Sequence, residues 1–309
     1  MYKVRLSCET LTPLFMYGAD NKLEIRADSI KGLLRFWWRA INCQEYDNLI
    51  DLKEAECNIF GGSYNKNGEI KQIKSSFKLL VKNKAKEKDI KKTKYLKKNK
   101  YLFYFMTTKD SPDNYYKAGI EFDLTFISRD RERLVEAIRA FRALMLFGGM
   151  GARSRKGGGN FVVKECITKI EEIKNLFDYP YTFEKVKKVY DKIRGESKLT
   201  KVISNLVTGD LIKFEHNDKN KILSKIGKKY KEFRQSKKSN KGELVGFGLP
   251  IEEYENNKDR FASKVIFKVM ENLDEGYQFG YYVKLGGEIL IDNKEDNVEA
   301  ILDEFIRAT

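Results

Sequence analysis

The 309-residue chain has one histidine, four cysteines, four prolines and two tryptophans, and no apolar run long enough to span a bilayer. Each shortage excludes something. His216 stands alone in a polar stretch, so histidine acid–base catalysis has one candidate and no visible partner, and the residue reads as surface. Cys8, Cys43, Cys57 and Cys166 lack the C-x-x-C pairing of a zinc site or a disulfide framework, and are expected to be reduced and buried. No Ser/His/Asp order is present, and no cofactor or metal is expected. Asp20, Glu24 and Asp28 are four residues apart and suit Mg²⁺ or the activation of a ribose hydroxyl. Such carboxylates more often serve as helix caps and as ion-pair partners of neighbours such as Arg26. With no membrane span, and with Met1 to Leu11 alternating like a strand, the chain reads as soluble and cytoplasmic.

Positive charge is what the chain has in excess. Its 60 Lys and Arg against 45 Asp and Glu leave a formal charge of +15, and polyanions are the expected partners. The excess is concentrated in two runs. Lys82 to Lys100 holds ten Lys against Glu87 and Asp89, and Lys219 to Lys241 holds ten basic residues against Glu232. Both read as solvated, mobile insertions with a loose attraction for RNA.

Length favours two domains. A strand is expected at Lys3 to Thr12, and a helix from an N-cap at Asp28 or Ser29 to about Cys43. Strands follow at Ser75 to Val81, Tyr101 to Met106 and Glu121 to Ser128. A periodic helix then starts at Asp130, carries Leu134, Ile138, Phe141 and Met145 on one stripe, and stops at Gly148 and Gly149. A strand resumes at Phe161 to Ile167. This approximates the βαββαβ order of a ferredoxin-like domain, which leaves one sheet face free. Residues 169–205 read as helical with a break near Pro180. Strands at Leu244 to Leu249, Ser263 to Glu271 and Tyr277 to Leu285, then a helix through Val298 and Phe305, suggest a second such unit. The expected class is α+β with two ferredoxin-like domains, 1–168 and 169–309, with antiparallel sheets.

Two segments carry chemistry. Gly148 to Phe161 contains six of the 22 glycines, interleaved with Arg153, Arg155 and Lys156. Gly148, Gly149, Gly151 and Gly157 let backbone N–H groups approach a phosphate while the cations neutralise it. A P-loop is excluded, because the order is helix, loop, strand and Gly-Lys-Ser/Thr is missing. The blander reading is a helix stop followed by a flexible hairpin. In Ile30 to Ile41, Leu33, Leu34, Trp37 and Ile41 share an apolar arc with Ile30. Lys31, Arg35 and Arg39 form an adjoining ridge suited to successive phosphates, with Trp38 on the border; a solvated face is the alternative.

These residues resemble the RAMP superfamily of CRISPR-associated proteins, and within it the Cmr subunit-one family of the type III-B effector complex. The likeness rests on Leu11-Thr-Pro-Leu-Phe-Met-Tyr-Gly-Ala-Asp20, on Glu24 to Ala40 with its Ser-Ile-Lys-Gly-Leu-Leu-Arg-Phe-Trp-Trp-Arg core, on Ile59-Phe-Gly-Gly-Ser63, and on Phe147 to Gly158. A weaker part is Gly248-Leu-Pro250 followed by Arg260-Phe-Ala-Ser263, where Lys264 stands in place of the family's Pro. The resemblance implies two ferredoxin-like domains and a non-nuclease role, target cleavage belonging to a different, repeated subunit. It implies binding of guide RNA near its 3′ end and of target RNA, with other Cmr RAMP subunits as partners and no membrane. Lys31, Arg35, Arg39, Arg153, Arg155 and Lys156 are the RNA contacts it implies. Two alternatives stay open: a metal-independent RAMP ribonuclease that processes CRISPR RNA, and a protein scaffold using Phe36, Trp37 and Trp38.

Overall fold

The computed structural model describes residues 1–96, 101–108, 111–178, 181–194, 199, 213–216, 222–237, 244, 247–248, 262–286 and 298–307. The N-terminal half runs β1 (Tyr2–Thr10), α1 (Ala27–Asn42), α2 (Leu49–Phe60), β2 (Gly62–Lys66), β3 (Glu69–Ile73), β4 (Phe77–Asn83), β5 (Ile90–Lys92), β6 (Asn114–Tyr116), β7 (Glu121–Ser128), α3 (Arg131–Phe147) and β8 (Phe161–Thr168). The C-terminal half runs α4 (Glu171–Leu176), α5 (Phe183–Ile193), β9 (Lys213–His216), α6 (Ile222–Ser236), β10 (Val265–Asn272), β11 (Tyr277–Lys284) and α7 (Val298–Arg307).

Alternation forms the first sheet. Val4, Leu6 and Cys8 of β1 pair across from Phe126, Leu124 and Phe122 of β7, and all six are buried. The strand order β4-β7-β1-β8, with every pair antiparallel, is that of a ferredoxin-like sheet. Its apolar face is covered by α1 through Ile30, Leu34 and Trp37 and by α3 through Leu134, Ile138 and Phe141. The opposite face presents Lys3, Leu80 and Ile167 to solvent. Asp130 caps α3, its Oδ1 accepting the Arg133 N–H at 3.0 Å. Helix α1 begins two to three residues earlier than expected, with Arg26 at the N-cap and no side-chain cap, and Asp28 lies inside the first turn.

The second sheet, β10-β11-β9, is antiparallel as well. Its two long strands are buried on both faces. Ile266, Met270, Phe279, Tyr281 and Val283 join the core of the first unit, while Val265, Phe267, Val269 and Tyr282 pack with α6, α7 and residues of the 96–115 stretch. The molecule is thus α+β, with two ferredoxin-like units and antiparallel sheets, and its two cores meet across one shared sheet.

Several expectations fail locally. Residues Tyr101 to Met106, an unbroken apolar and aromatic run expected to be a strand, form turns instead, with a short 3-10 helix at Tyr104–Thr107, because Leu102, Phe103 and Met106 are all drawn into the second core. The second Lys-rich run is largely the helix α6. Ile222, Leu223, Ile226, Tyr230 and Phe233 line its buried face, so what holds it is packing and not solvation. The first run is ordered up to Leu96, with β5 paired to β6 and Thr93 and Leu96 buried. Leu244 and Phe247 are helical and buried where a strand is expected, and His216 ends strand β9 instead of lying in a loop. Residues 97–100, 179–180, 200–212 and 249–261 lie outside the described residues, taking with them parts of the Lys-rich run, the break at Pro180 and most of the C-terminal motif.

Candidate nucleic-acid interface

The Gly-rich segment is held inside the molecule, not hung from it. The Leu11 N–H donates to the Asn160 carbonyl at 2.7 Å, Asn160 N–H to Thr12 Oγ1 at 2.8 Å, Gly159 N–H to Pro13 O at 2.8 Å and Ala152 N–H to Phe15 O at 2.7 Å. These bonds zip residues 152–160 to residues 11–15, two of the motif segments. Gly148, Gly149 and Gly157 are buried. A Cβ at Gly148 would lie 2.6 Å from the Trp37 indole nitrogen, one at Gly149 2.6 Å from Gly158 O, and one at Gly157 2.5 Å from the Leu223 side chain. Gly151 adopts φ +75°, and its Cβ would strike the Phe15 carbonyl oxygen. Close approach between chain segments is therefore what these glycines provide, and the segment is not a flexible hairpin.

The loop's three cations point toward the second unit. The Arg153 Nε and Nη2 both donate to Leu102 O, at 3.0 and 2.7 Å, with the guanidinium 5.3 Å above the Phe105 ring. Arg155 donates to Ser263 O at 2.5 Å and stacks 5.6 Å over Phe36. Lys156 is only 7% exposed, and its three N–H donors reach Tyr230 Oη, Phe247 O and Ser263 Oγ at 2.9, 3.1 and 3.1 Å. Arg234, on α6, lies 5.6 Å over the Tyr230 ring. None of these four cations forms an ion pair among the described residues. Burial lowers the pKa of Lys156 well below its ordinary value, and repulsion from Arg153, Arg234 and Arg155 adds to the effect. Burial likewise lowers Arg153 and Arg155. The result is a positive cluster that has no carboxylate partner among the described residues.

The α1 ridge has the expected spacing but different surroundings. The Lys31 ammonium donates to Ser75 Oγ at 2.5 Å and lies 4.9 Å over Phe77. Arg35 donates to Glu56 Oε1 at 2.7 Å and to the carbonyls of Phe60 and Gly61 at the C-terminus of α2, where a cation is favoured. Arg39 bonds the other Glu56 oxygen, and Lys53 reaches Oε1 at 3.1 Å. Glu56 is 1% exposed. Burial alone would raise its pKa, but Arg39, then Arg35 and Lys53, more than offset that and hold it below the ordinary value. Arg39 and Lys53 also line a cavity of about 420 Å³ with Leu49, Ile50 and Tyr64.

The structure thus gathers Arg153, Arg155 and Lys156 into one cluster and keeps Lys31, Arg35 and Arg39 on another side of α1. Arg155 touches Phe36 and Gly148 abuts Trp37, one and two positions beyond Arg35, or about 100° and 200° around the helix. Trp37 and Trp38 are both core, and Phe161 is buried against Phe122 and Phe141. Asp20 pairs with Lys22 and Glu24 with Arg26, each at 3.9 Å, and among the described residues no group of three His, Cys, Asp or Glu is placed to hold a metal ion. None of the four cysteines is in a disulfide, and all but Cys166 are buried. Among the described residues no helix is long and apolar enough to cross a membrane.

Sequence reasoning missed Glu56 and Arg234. Glu56 had a signal, since it interrupts the apolar stripe Leu52, Ile59 and Phe60 at helical spacing, where an acid needs a buried partner. Arg234 had none, because its proximity to the loop is wholly tertiary.

Comparison with known proteins agrees with this architecture. The RAMP superfamily model matches residues 7–162. The CRISPR system Cmr subunit Cmr1-2 of Pyrococcus furiosus is 29% identical over 187 residues, 53% of this chain and 96% of that protein. Cmr subunit Cmr1-1 of the same organism is 26% identical over 267 residues, 80% of this chain and 77% of that protein. The fold matches the crystal structure of apo Cmr1 from Pyrococcus furiosus with a TM-score of 0.68 at 21% identity, covering 100% of this chain and 97% of that one. It matches a chain of the cryo-EM structure of Type III-B Cmr-beta bound to cognate target RNA with a TM-score of 0.66 at 13% identity, covering 98% of each. The chain belongs to the RAMP superfamily, and its homologues there are Cmr1 proteins.

Proposed function

We propose that this chain is a non-catalytic, cytoplasmic RNA-binding subunit of a type III-B CRISPR RNA-targeting complex. It binds guide RNA near its 3′ end, and target RNA, through phosphate contacts, and assembles with other Cmr RAMP subunits. The observation that carries the reading is the cluster of Arg153, Arg155 and Arg234 around buried Lys156, cations packed together with no carboxylate partner among the described residues. Bringing them together costs electrostatic free energy, and a phosphate chain supplies the missing counter-charge. Arg153, Arg155 and Arg234 meet phosphate directly, while Lys156 fixes the loop to Tyr230, Phe247 and Ser263 behind them. Gly148, Gly149, Gly151 and Gly157 hold the cluster in shape. The half-buried ridge of Lys31, Arg35 and Arg39 is a second, weaker phosphate patch, because Glu56 already neutralises part of it.

The test is the salt dependence of RNA affinity. Replacing Arg153, Arg155 and Arg234 together by Ala, with far-UV circular dichroism unchanged, weakens binding for all sequences. It reduces the slope of log K against log salt by about 2, at roughly 0.7 per single-strand phosphate contact. An unchanged affinity and slope would overturn the reading.

A further inference from the structure

The turn at residues 101–108 is fastened at several points. Leu102, Phe103 and Met106 are buried in the second core, Phe103 lies 5.1 Å from Phe15, and Tyr101 packs edge-on to Tyr230 at 5.7 Å. Arg153 holds the Leu102 carbonyl. Between these anchors Tyr104 and Phe105 project outward, 54% and 52% exposed, their rings 5.8 Å apart at 72°. The exposure is built and not a frayed end. Thr107 Oγ1 donates to Tyr104 O at 2.7 Å, Thr108 Oγ1 donates to Phe105 O at 3.0 Å, and Ser111 Oγ bonds the same carbonyl. The fold therefore forgoes the free energy of burying two large rings while holding them fixed.

We infer that Tyr104 and Phe105 are a stacking platform for the bases of single-stranded RNA, beside the cationic cluster. The inference rests on the RNA-binding reading above and deepens it. Phe105 carries the Arg153 guanidinium 5.3 Å from its ring centre, so a nucleotide whose phosphate is neutralised by Arg153 has its base within reach of the two rings. Arg153 sits at φ +59°, a conformation that non-glycine residues rarely adopt, and from there its guanidinium reaches both Leu102 O and Phe105. Cations along a backbone path with aromatic faces at its side are what sequence-tolerant single-strand binding requires, since every base offers a π-face.

The experiment uses the full chain and a fluorescein-labelled single-stranded RNA of about 12 nucleotides, with a copy whose central bases are removed to leave abasic riboses. Tyr104→Ala with Phe105→Ala is expected to weaken binding to the intact RNA by about tenfold without changing the salt slope, since no phosphate contact is lost. Tyr104→Phe with Phe105→Tyr should restore it, and the abasic RNA should bind the Ala variant and the unaltered protein alike. Equal affinity of the Ala variant for intact RNA overturns the platform while leaving the phosphate reading intact. An equal loss on abasic RNA also overturns it. So does intact RNA affinity together with lost association with another Cmr subunit, which assigns the rings to a protein interface. Failure of the unaltered protein to bind either RNA overturns both readings, and is distinguished by that control.

Discussion

Replacing Glu56 by Gln tests the claim that the ridge on α1 is mainly a structural clamp. The substitution keeps shape and one acceptor but removes the charge, so Arg35, Arg39 and Lys53 face one another around a buried site without a counter-ion. Removing one member of a buried ion pair costs about 3–5 kcal/mol. Because the three cations are 26%, 32% and 44% exposed and so remain partly solvated, the lower end, about 3 kcal/mol, applies. At roughly 2–4 °C per kcal/mol, the thermal transition of the N-terminal sheet should fall by about 6–12 °C at pH 7. The pH dependence supplies the sign. The folded-state pKa of Glu56 lies below its ordinary value of about 4.3, so its stabilisation is fully present above that value and is lost as pH falls through the lowered one. The gap between the unaltered protein and the variant should therefore be constant from pH 7 to 5 and close on further acidification. Scanning calorimetry at a series of pH values checks both. A drop below about 2 °C at pH 7, or a gap that does not change down to pH 3, would refute the clamp.

Other outcomes follow from the same geometry. Gly159→Ala, at φ +58° with its Cβ directed into the Met150 carbonyl, should cost about 2–5 kcal/mol in urea unfolding. Gly68→Ala, at φ +84° with nothing within 4 Å, should cost only about 1 kcal/mol. Asn160→Ala leaves the Val269 N–H, now bonded to Asn160 Oδ1 at 2.7 Å, without an acceptor in a buried site. A loss of about 2–3 kcal/mol is expected in urea unfolding, with separate melting of the two sheets visible by calorimetry. Lys268 is fully buried, donates to Gly148 O at 2.5 Å at the end of α3, and is held by burial well below its ordinary pKa. A lowered lysine pKa makes the unfolded chain bind more protons, so stability should rise with pH from 7 toward 10. Lys268→Met should flatten that rise in thermal scans.

Elements defined by local periodicity were legible. β7 begins and ends where its alternation does, and α3 where Asp130 and Gly148 bracket an apolar stripe. Elements whose residues answer to distant partners were not. Tyr101 to Met106 is a short aromatic-rich apolar run of the kind a buried strand has, yet Phe103 and Met106 are claimed by a core that β10 and α6 complete. The helix α6 was hidden for the opposite reason. Its apolar positions have helical spacing, but nine lysines and an arginine between 219 and 241 give the segment the composition of a solvated run. The loop's composition announced phosphate chemistry, but its rigidity is set by Phe15, Trp37 and Leu223, none of which lies near it in sequence.

Charge count alone ranks the two basic sets equally, since each has three cations drawn from one short segment. Compensation separates them. On α1 a single buried carboxylate absorbs much of the field of Arg35, Arg39 and Lys53, and a phosphate arriving there must compete with Glu56 at hydrogen-bond distance. At the loop, the groups facing Arg153, Arg155 and Lys156 among the described residues are carbonyls, hydroxyls and aromatic rings, which orient cations without cancelling their charge. Neutral partners in a low-dielectric setting leave the outward field nearly whole, so an anion gains more there than beside an internal salt bridge. By this argument, substitutions at Arg153 and Arg155 act mainly on RNA affinity and its salt slope. Substitutions at Arg35 and Arg39 act mainly on stability, and measuring both quantities for each variant separates the roles.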